Sequence, residues 1–440
     1  MTGPADRLAT ALADAMLAGS WDYQSILDRT RQVIARRPPW LDSLAREVLA
    51  AYQRAPADRP RELAAFVVSS AAMARARRSP PRLPTPVVRF SSPTRMIHRP
   101  FATPVLHHAG DLADHLGITL EALDVFADTR LRARRARAER IAHYRYRWMH
   151  RPGGARLLEA PKRDLRALQR TVLDDILAPI PTHPAVHGFV ADRSAITGAA
   201  EHVGADVVIT LDLEHFFASV TPGRIWGLLR AAGYPEPVAH LLVGLTTHAT
   251  PVATLASMPA SADPGRDFRL RRRLAGPHLP QGAPTSPALA NLVAFSLDRR
   301  LDSYARAAGS RYTRYADDLT FSGDAALARR SAALIAAVKR MIRQEGFTVH
   351  PGKTREHHRS RRQVVTGIVV NDRTNIPRAD YDRLKAVLHD CLRNGPLAAN
   401  RDAHPDFRAH LLGRLSWVSA LNPDRGARLR AIFDEIRWTS

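Results

Sequence analysis

The stretch Arg311-Tyr-Thr-Arg-Tyr-Ala-Asp-Asp-Leu-Thr-Phe-Ser-Gly323 constrains the chain more than any other, because it places two adjacent carboxylates, Asp317 and Asp318, at the tip of an expected β-hairpin. Tyr312, Arg314, Leu319 and Phe321 favour strand, and Ala-Asp-Asp is a polar, turn-compatible break between two arms. Taken alone, an Asp-Asp turn reads equally well as a solvated loop. A second apolar strand, Val207-Val-Ile-Thr-Leu-Asp-Leu213, ends by delivering Asp212 just ahead of Glu214-His-Phe-Phe-Ala-Ser219, so that two strand ends can share metal. Two hard cations held close together need bridging oxygen ligands and open positions for phosphates. One ion lowers the pKa of an attacking sugar hydroxyl and the other offsets charge on a leaving pyrophosphate. Such a trio of carboxylates points to nucleotidyl transfer.

The charge balance agrees. Of 440 residues, 65 are Lys or Arg and 42 Asp or Glu, a net +23 with a pI near 11.2. An excess of this size points to a polyanionic partner, most simply nucleic acid, although an Arg- and Ala-rich composition also follows from a GC-rich genome. The single cysteine, Cys391, excludes an internal disulfide and a Cys-based zinc site, which makes a reducing cytoplasm the default. The first residues lack a signal-peptide pattern and no run approaches eighteen apolar residues, so neither secretion nor a membrane is expected.

Along the chain, residues 1–78 read as short helices around 7–17, 26–35, 41–52 and 61–74, a helical extension with no sign of chemistry. Residues 79–104 are a Pro/Ser/Arg-rich linker. Helical character resumes over 109–127, followed by an Arg-dense run from Thr129 to Arg140 that reads as a solvated face or as a phosphate contact. Tyr144 to Glu159 is expected to be a basic hairpin turning at Pro-Gly-Gly, and Pro161 to Ile180 one amphipathic helix with Leu165, Leu168, Val172, Leu173, Ile176 and Leu177 on one side. Leu279-Pro-Gln-Gly-Ala-Pro-Thr-Ser-Pro-Ala-Leu-Ala-Asn291 reads as a loop entering a helix, with Ser286 as N-cap and Leu289, Val293, Leu297 and Leu301 on one continuous face. After the Asp-Asp hairpin the pattern predicts a helix over 325–345, a strand carrying Lys353, a strand over 363–371, and three closing helices over 380–393, 407–421 and 425–438.

In this order, these stations resemble the motifs of reverse transcriptases over residues 105 to 440. Asp212 with Phe216-Phe217 is similar to the first palm motif, Leu279-Pro-Gln-Gly with Ser286, Pro287 and Asn291 to the second, Tyr315-Ala-Asp-Asp to the third, and Lys353 within Pro351-Gly-Lys-Thr354 to the fourth. Within that superfamily the chain looks most like bacterial retron enzymes, because Val365-Thr-Gly367 stands where their VTG motif sits. Their Asn-Ala-x-x-His element is kept at Ala199 and His202, with Gly198 in place of Asn.

The resemblance implies an α+β right-hand polymerase: an N-terminal helical extension (1–78), the linker (79–104), N-terminal helices and fingers (105–205), a palm with an antiparallel sheet (206–372) and a helical thumb (373–440). It implies that Asp212, Asp317 and Asp318, with the Leu213 backbone, hold two Mg²⁺ ions, and that Lys353 protonates the pyrophosphate. Arg156 would grip the dNTP triphosphate, Gln281 would lie near its sugar, and Phe217 would exclude a 2′-hydroxyl. Thr366, Gly367, Arg393, Arg408 and Arg414 are the candidates for holding RNA. The implied partners are a cognate structured noncoding RNA and its DNA product, dNTPs and an effector protein, in anti-phage defence. Two other readings stay open at this point: another bacterial reverse transcriptase, of group II intron or other defence type, and a catalytically silent RNA-binding scaffold.

Overall fold

The computed structural model describes residues 3–36, 38–78, 83–90, 94–134, 142–151 and 154–438. Parts of the 79–104 linker, the Arg run from 135 to 141 and the Pro-Gly of the first hairpin turn lie outside the described residues. The chain forms two compact units, Met1–Pro181 with Val220–Leu289 and Thr182–Ser219 with Ala290–Ser440. Its mixture of helices and antiparallel sheets is the expected α+β class.

In the first unit, helices Pro4–Leu17, Tyr23–Ile34, Pro39–Ala51, Pro60–Ser69 and Ala71–Arg78 close on a core of their own, built from residues such as Leu8, Leu12, Met16, Ile26, Leu44, Val48 and Met73. The helix expected over 61–74 breaks at Ser70, whose backbone is extended and whose hydroxyl receives the Met73 amide. The Arg230–Asp58 ion pair (2.6 Å) and the Arg61 amide on the Glu236 carboxylate (2.9 Å) tie this bundle to helices Pro222–Ala231 and Glu236–Thr246. Strands β1 (Tyr144–Arg151) and β2 (Gly154–Pro161) form the expected antiparallel hairpin. The single helix expected over 161–180 is instead an α-helix, Arg163–Thr171, that widens into a π-helical turn, Val172–Leu177. The wider turn changes the phase of the apolar stripe. Val172, Ile176 and Leu177 stay buried while Leu173 moves to a half-exposed position.

The second unit is organised on a four-stranded sheet of β3 (Val207–Asp212), β4 (Ser310–Tyr315), β5 (Asp318–Gly323) and β6 (Arg355–His358), in the order β4-β5-β3-β6 and antiparallel throughout. β3 is central and buried along nearly its whole length, which is why it reads as a continuous apolar run rather than an alternating one. Several expectations need correction. Lys353 lies in the turn ahead of β6, not in a strand, because Pro351-Gly352 interrupts the extended backbone. The strand expected over 363–371 is a tight hairpin of β7 (Val364–Val365) and β8 (Ile368–Val369), reversed at Thr366 and Gly367 with φ of 47° and 84°. The helix expected over 325–345 is interrupted at Arg330. The long helix after the Leu279-Pro-Gln-Gly loop breaks at Ala294 into Ser286–Val293 and Phe295–Ala307. Ser286 is helical itself, and its hydroxyl donates to the Pro280 carbonyl (2.7 Å), closing the loop. The C-terminal helices Arg378–Asn394, Phe407–Leu421 and Pro423–Asp434 stand where three were expected, the last ending at Asp434 rather than at 438, and share a core with β7–β8, in which Val208 of β3, Ile368, Leu388, Cys391, Leu415, Leu429 and Phe433 meet.

Two buried histidines brace these units in the neutral form. His202 follows helix Ala195–Ala200 and bonds Ser322 Oγ and Thr313 Oγ1, both at 2.7 Å, joining that helix to β4 and β5. Burial, with Arg311 and His187 nearby, pushes it down to about 3. At Gly198, four positions earlier, a Cβ would come within 3.1 Å of the His187 Cβ, so the His187 side chain would have to give way to a larger residue there. In the first unit His248 bonds the Tyr146 hydroxyl at 2.6 Å and packs on the Tyr144 ring, and burial lowers it to about 4. In the unfolded chain both take up a proton near pH 6.5. The unfolded state therefore binds more protons below that pH, and stability must fall as pH falls from about 6.5 towards the folded values, by about 1.4 kcal/mol per pH unit for each histidine. Urea unfolding at pH 7.5 and 5.0 should show this loss, and His202→Gln should shrink it. A flat profile would count against neutral burial.

Candidate active site

The Asp-Asp turn is held from behind by a fully buried cation. Along β4, Tyr312 and Arg314 point to the same side, inward, so the strand alternation drives a guanidinium into the core. Arg314 meets Asp298 of helix Phe295–Ala307 in a two-pronged ion pair, Nε to Oδ1 at 2.7 Å and Nη2 to Oδ2 at 2.6 Å, with neither side chain exposed. Its Nη1 donates to Asn291 Oδ1 and to the Ala316 carbonyl, both at 3.0 Å, and the Tyr312 hydroxyl adds a bond to Asp298 at 2.8 Å. Ala316 has a left-handed backbone (φ 55°), and Gly188 packs so closely that a Cβ there would be 2.7 Å from the Ala316 nitrogen. The Asn291 amide holds the Gly188 carbonyl at 2.8 Å. One guanidinium thus fixes the carbonyl immediately before Asp317.

The turn so held delivers carboxylates to the end of β3. Asp212 pairs with Asp318 in the β3–β5 register, and the Leu213 amide donates to the Asp317 carbonyl at 2.9 Å. Asp212 is buried and Asp318 open to solvent on one side. Crowding in this cleft, together with the charges of Asp317 and Asp212, nevertheless pushes the Asp318 carboxyl up to about 7. Lys353 reaches back from its turn to place Nζ 2.7 Å from Asp212 Oδ2. Its side chain is 52 % exposed, so the contact contributes little to stability. Phe217 lies half-buried in the short helix Phe216–Ser219, with the exposed Phe189 ring 6.4 Å from it and 6.2 Å from Tyr315.

Among the described residues, no three His, Cys, Asp or Glu side chains close into a ready metal cage. The arrangement is open, which suits Mg²⁺: this ion keeps waters and takes one or two carboxylates plus substrate phosphates rather than an all-protein shell. Clustered carboxylates, one of them raised to about 7 by burial and then by the charges of its two neighbours, fit a divalent cation.

In the first unit Arg156 of β2 donates through Nε to Gln281 Oε1 at 2.9 Å, so these two predicted residues meet each other. In their turn Thr366 is half-buried and Gly367 exposed, Arg393 and Arg408 are exposed, and Arg414 is half-buried. Asp298, Phe189 and the partners of Glu159 stand in no motif of the sequence. Only Arg314 carried a legible signal, a charged residue at an inward strand position beside Tyr312.

The family described as "Reverse transcriptase (RNA-dependent DNA polymerase)" matches residues 148–376. The chain is 43% identical over 331 residues to the Retron Mx65 reverse transcriptase of Myxococcus xanthus, covering 75% of this chain and 72% of that one. It is 37% identical to the Retron Mx162 reverse transcriptase of the same organism (76% and 68% covered) and 29% identical to the Retron Ec86 reverse transcriptase of Escherichia coli (66% and 80%).

The Arg314 cluster generates a test with two readouts. Asp298→Asn leaves a buried guanidinium without its counter-charge and should cost about 3–5 kcal/mol in urea unfolding. Replacing both partners with apolar residues, Asp298→Leu with Arg314→Met, should recover most of that stability. The double variant should still fail in primer extension, because the Ala316 carbonyl has lost its donor. Full activity in the double variant would remove Arg314 from any positioning role.

Proposed function

Because the chain belongs to the retron reverse transcriptases and is an RNA-directed DNA polymerase, we propose that Asp212, Asp317 and Asp318 hold two Mg²⁺ ions for copying part of a partner noncoding RNA into single-stranded DNA, primed from a 2′-hydroxyl within that RNA. The family uses divalent metal ions. The observation that carries the assignment is the β3–β5 register, which sets Asp212 opposite Asp318 and Leu213 against Asp317. When bound, such ions activate the attacking hydroxyl and offset charge on the pyrophosphate.

The remaining roles belong to this chain's own groups. Asp212, Asp317 and Asp318, with the Leu213 backbone carbonyl, would hold the ions. Lys353, on a flexible stem beside Asp212, is placed to hand a proton to the departing pyrophosphate. Phe217 lies under the nucleotide sugar and rejects a 2′-hydroxyl by contact. Arg156 takes the triphosphate and Gln281 the sugar. In this reading fingers, palm and thumb are residues 105–205, 206–372 and 373–440, residues 1–78 are an extension, and the enzyme acts in the cytoplasm with an effector against phage.

RNA recognition falls to the Thr366–Gly367 turn and to Arg393, Arg408 and Arg414. Supporting this is the backbone of Thr366. A two-residue turn with both φ positive favours Asn-Gly or Asp-Gly, and a β-branched residue there is strained. Strain of this kind persists where a side chain has a task.

Two experiments test the proposal. Asp317→Asn with Asp318→Asn should reduce extension of an annealed primer by on the order of 10³-fold or more, with RNA affinity changed less than about threefold because the basic surface remains. Continued synthesis in that variant would sink the metal assignment. Thr366→Asn suits the turn better and should keep or raise stability, yet it should impair synthesis on the cognate RNA while sparing a generic annealed primer. Alanine at Arg393, Arg408 and Arg414 should deepen the same selective loss, and an equal loss in both reactions would defeat the recognition role.

A further inference from the structure

The loop that carries Gln281 is fastened to β2 by an ion pair buried elsewhere in the first unit. Glu159 and His278 meet through Oε2 and Nε2 at 2.8 Å, with each side chain only 1% exposed. The other Glu159 oxygen receives the Thr250 hydroxyl at 2.7 Å. The other His278 nitrogen, Nδ1, faces the Gly276 carbonyl at 2.8 Å. With Glu159 ionised, as its downward shift and the upward shift of His278 both have it, the carboxylate and the carbonyl can only accept, so each ring nitrogen donates and His278 is an imidazolium.

The same residues hold the loop by its backbone. The Glu159 amide donates to the Gln281 carbonyl at 2.7 Å, and His278 exchanges both backbone hydrogen bonds with His248, at 2.9 and 3.0 Å. Gly282 lies flat on β2 with φ of 123°, and a Cβ there would be 3.2 Å from the Glu159 carbonyl and 3.1 Å from Leu158 Cδ1. At the open end of this seam Arg156 Nε meets Gln281 Oε1. Glu159 lies three positions after Arg156 in β2, and Gln281 three positions after His278 in the loop, so the buried pair and the Arg156–Gln281 pair are two rungs between the same two segments.

We propose that Glu159 and His278 are positioning residues for the incoming nucleotide, a buried clasp that sets the loop on β2 and thereby the orientation of Arg156 and Gln281. The proposal rests on the reading of Arg156 as a triphosphate contact. Two charges removed from water are costly, and well-packed apolar residues hold two segments together at least as well. What the ion pair supplies is a single register: sliding the loop by one residue leaves a buried charge without its partner. An arginine gripping a triphosphate needs such definition, because small displacements at a reacting centre cost large factors in rate.

The test is a cycle on the full chain, using an annealed RNA template with a DNA primer and dNTPs. Arg156→Ala should raise KM for dNTP. Glu159→Gln should raise it about tenfold with kcat within about threefold, and template–primer affinity should not change. If the clasp acts through Arg156, then Glu159→Gln in the Arg156→Ala background should add less than about twofold. Equal multiplication of KM in both backgrounds, or a fall in kcat with KM unchanged, overturns the clasp while leaving the Arg156 reading intact. An unchanged KM in Arg156→Ala alone overturns that reading and the clasp with it. Should Glu159→Gln fail to fold, as thermal melting would reveal, Thr250→Val removes one donor to the same carboxylate at nearly constant volume. It should give a smaller KM rise that again vanishes in the Arg156→Ala background, and a rise that persists there overturns the proposal.

Discussion

The second unit depends on the guanidinium of Arg314. Removing such a group from water costs several kcal/mol unless its donors are met, and here the Asp298 carboxylate, Asn291 and the Ala316 carbonyl all meet it. The dependence runs outward from there. Asn291 also holds Gly188, Gly188 leaves room for the Ala316 backbone, and Ala316 turns left-handed so that Asp317 and Asp318 leave the strand end in the right direction. A catalytic turn made of two like charges has no tendency to stay in place, since repulsion favours spreading them apart. The opposing force comes from a cation on the far side of the backbone, where it can pin the chain without neutralising the carboxylates themselves.

That separation matters chemically. Asp318 is pushed up to about 7 by crowding and by its neighbours, and the Lys353 ammonium sits on Asp212 from the solvent side. Lys353 is half exposed where Arg314 is fully enclosed. An exposed lysine can exchange partners during a reaction, whereas a buried arginine paired with Asp212, Asp317 or Asp318 would only have cancelled the charge that a divalent ion needs.

Much of this was legible in the sequence because strands announce themselves by alternation and the carboxylates sit at their ends. Val207 to Leu213 and Arg311 to Gly323 were read as strands, and the structure pairs them in one sheet. The same reading took 363–371 as one strand because its apolar residues suit extended backbone, and nothing in Val-Thr-Gly-Ile announces a turn when Thr occupies the position that Asn or Asp usually takes. The π-helical turn at Val172 escaped for a related reason: one residue of phase shift leaves the composition untouched. The ion pairs were hidden most deeply. Glu159 and His278 lie 119 residues apart, and at each position alone the charge reads as surface.

Histidines in this chain show how far partners outweigh residue type. His202 lies between two hydroxyls that can each give or take, and burial keeps it neutral. His278 is as deeply buried, and burial by itself opposes its charge, but it lies between a carboxylate and a carbonyl, which hold both its protons and raise it above the ordinary value. The neutral histidine braces secondary structure, and the charged one fastens a loop. In each unit, then, a loop with candidate chemistry is backed by a buried pair of opposite charges, Arg314 with Asp298 and His278 with Glu159, while apolar packing does the rest. Apolar contacts tolerate small slips in register, and a buried charge with one available partner does not. The most demanding geometry in the chain is therefore placed where slipping costs the most.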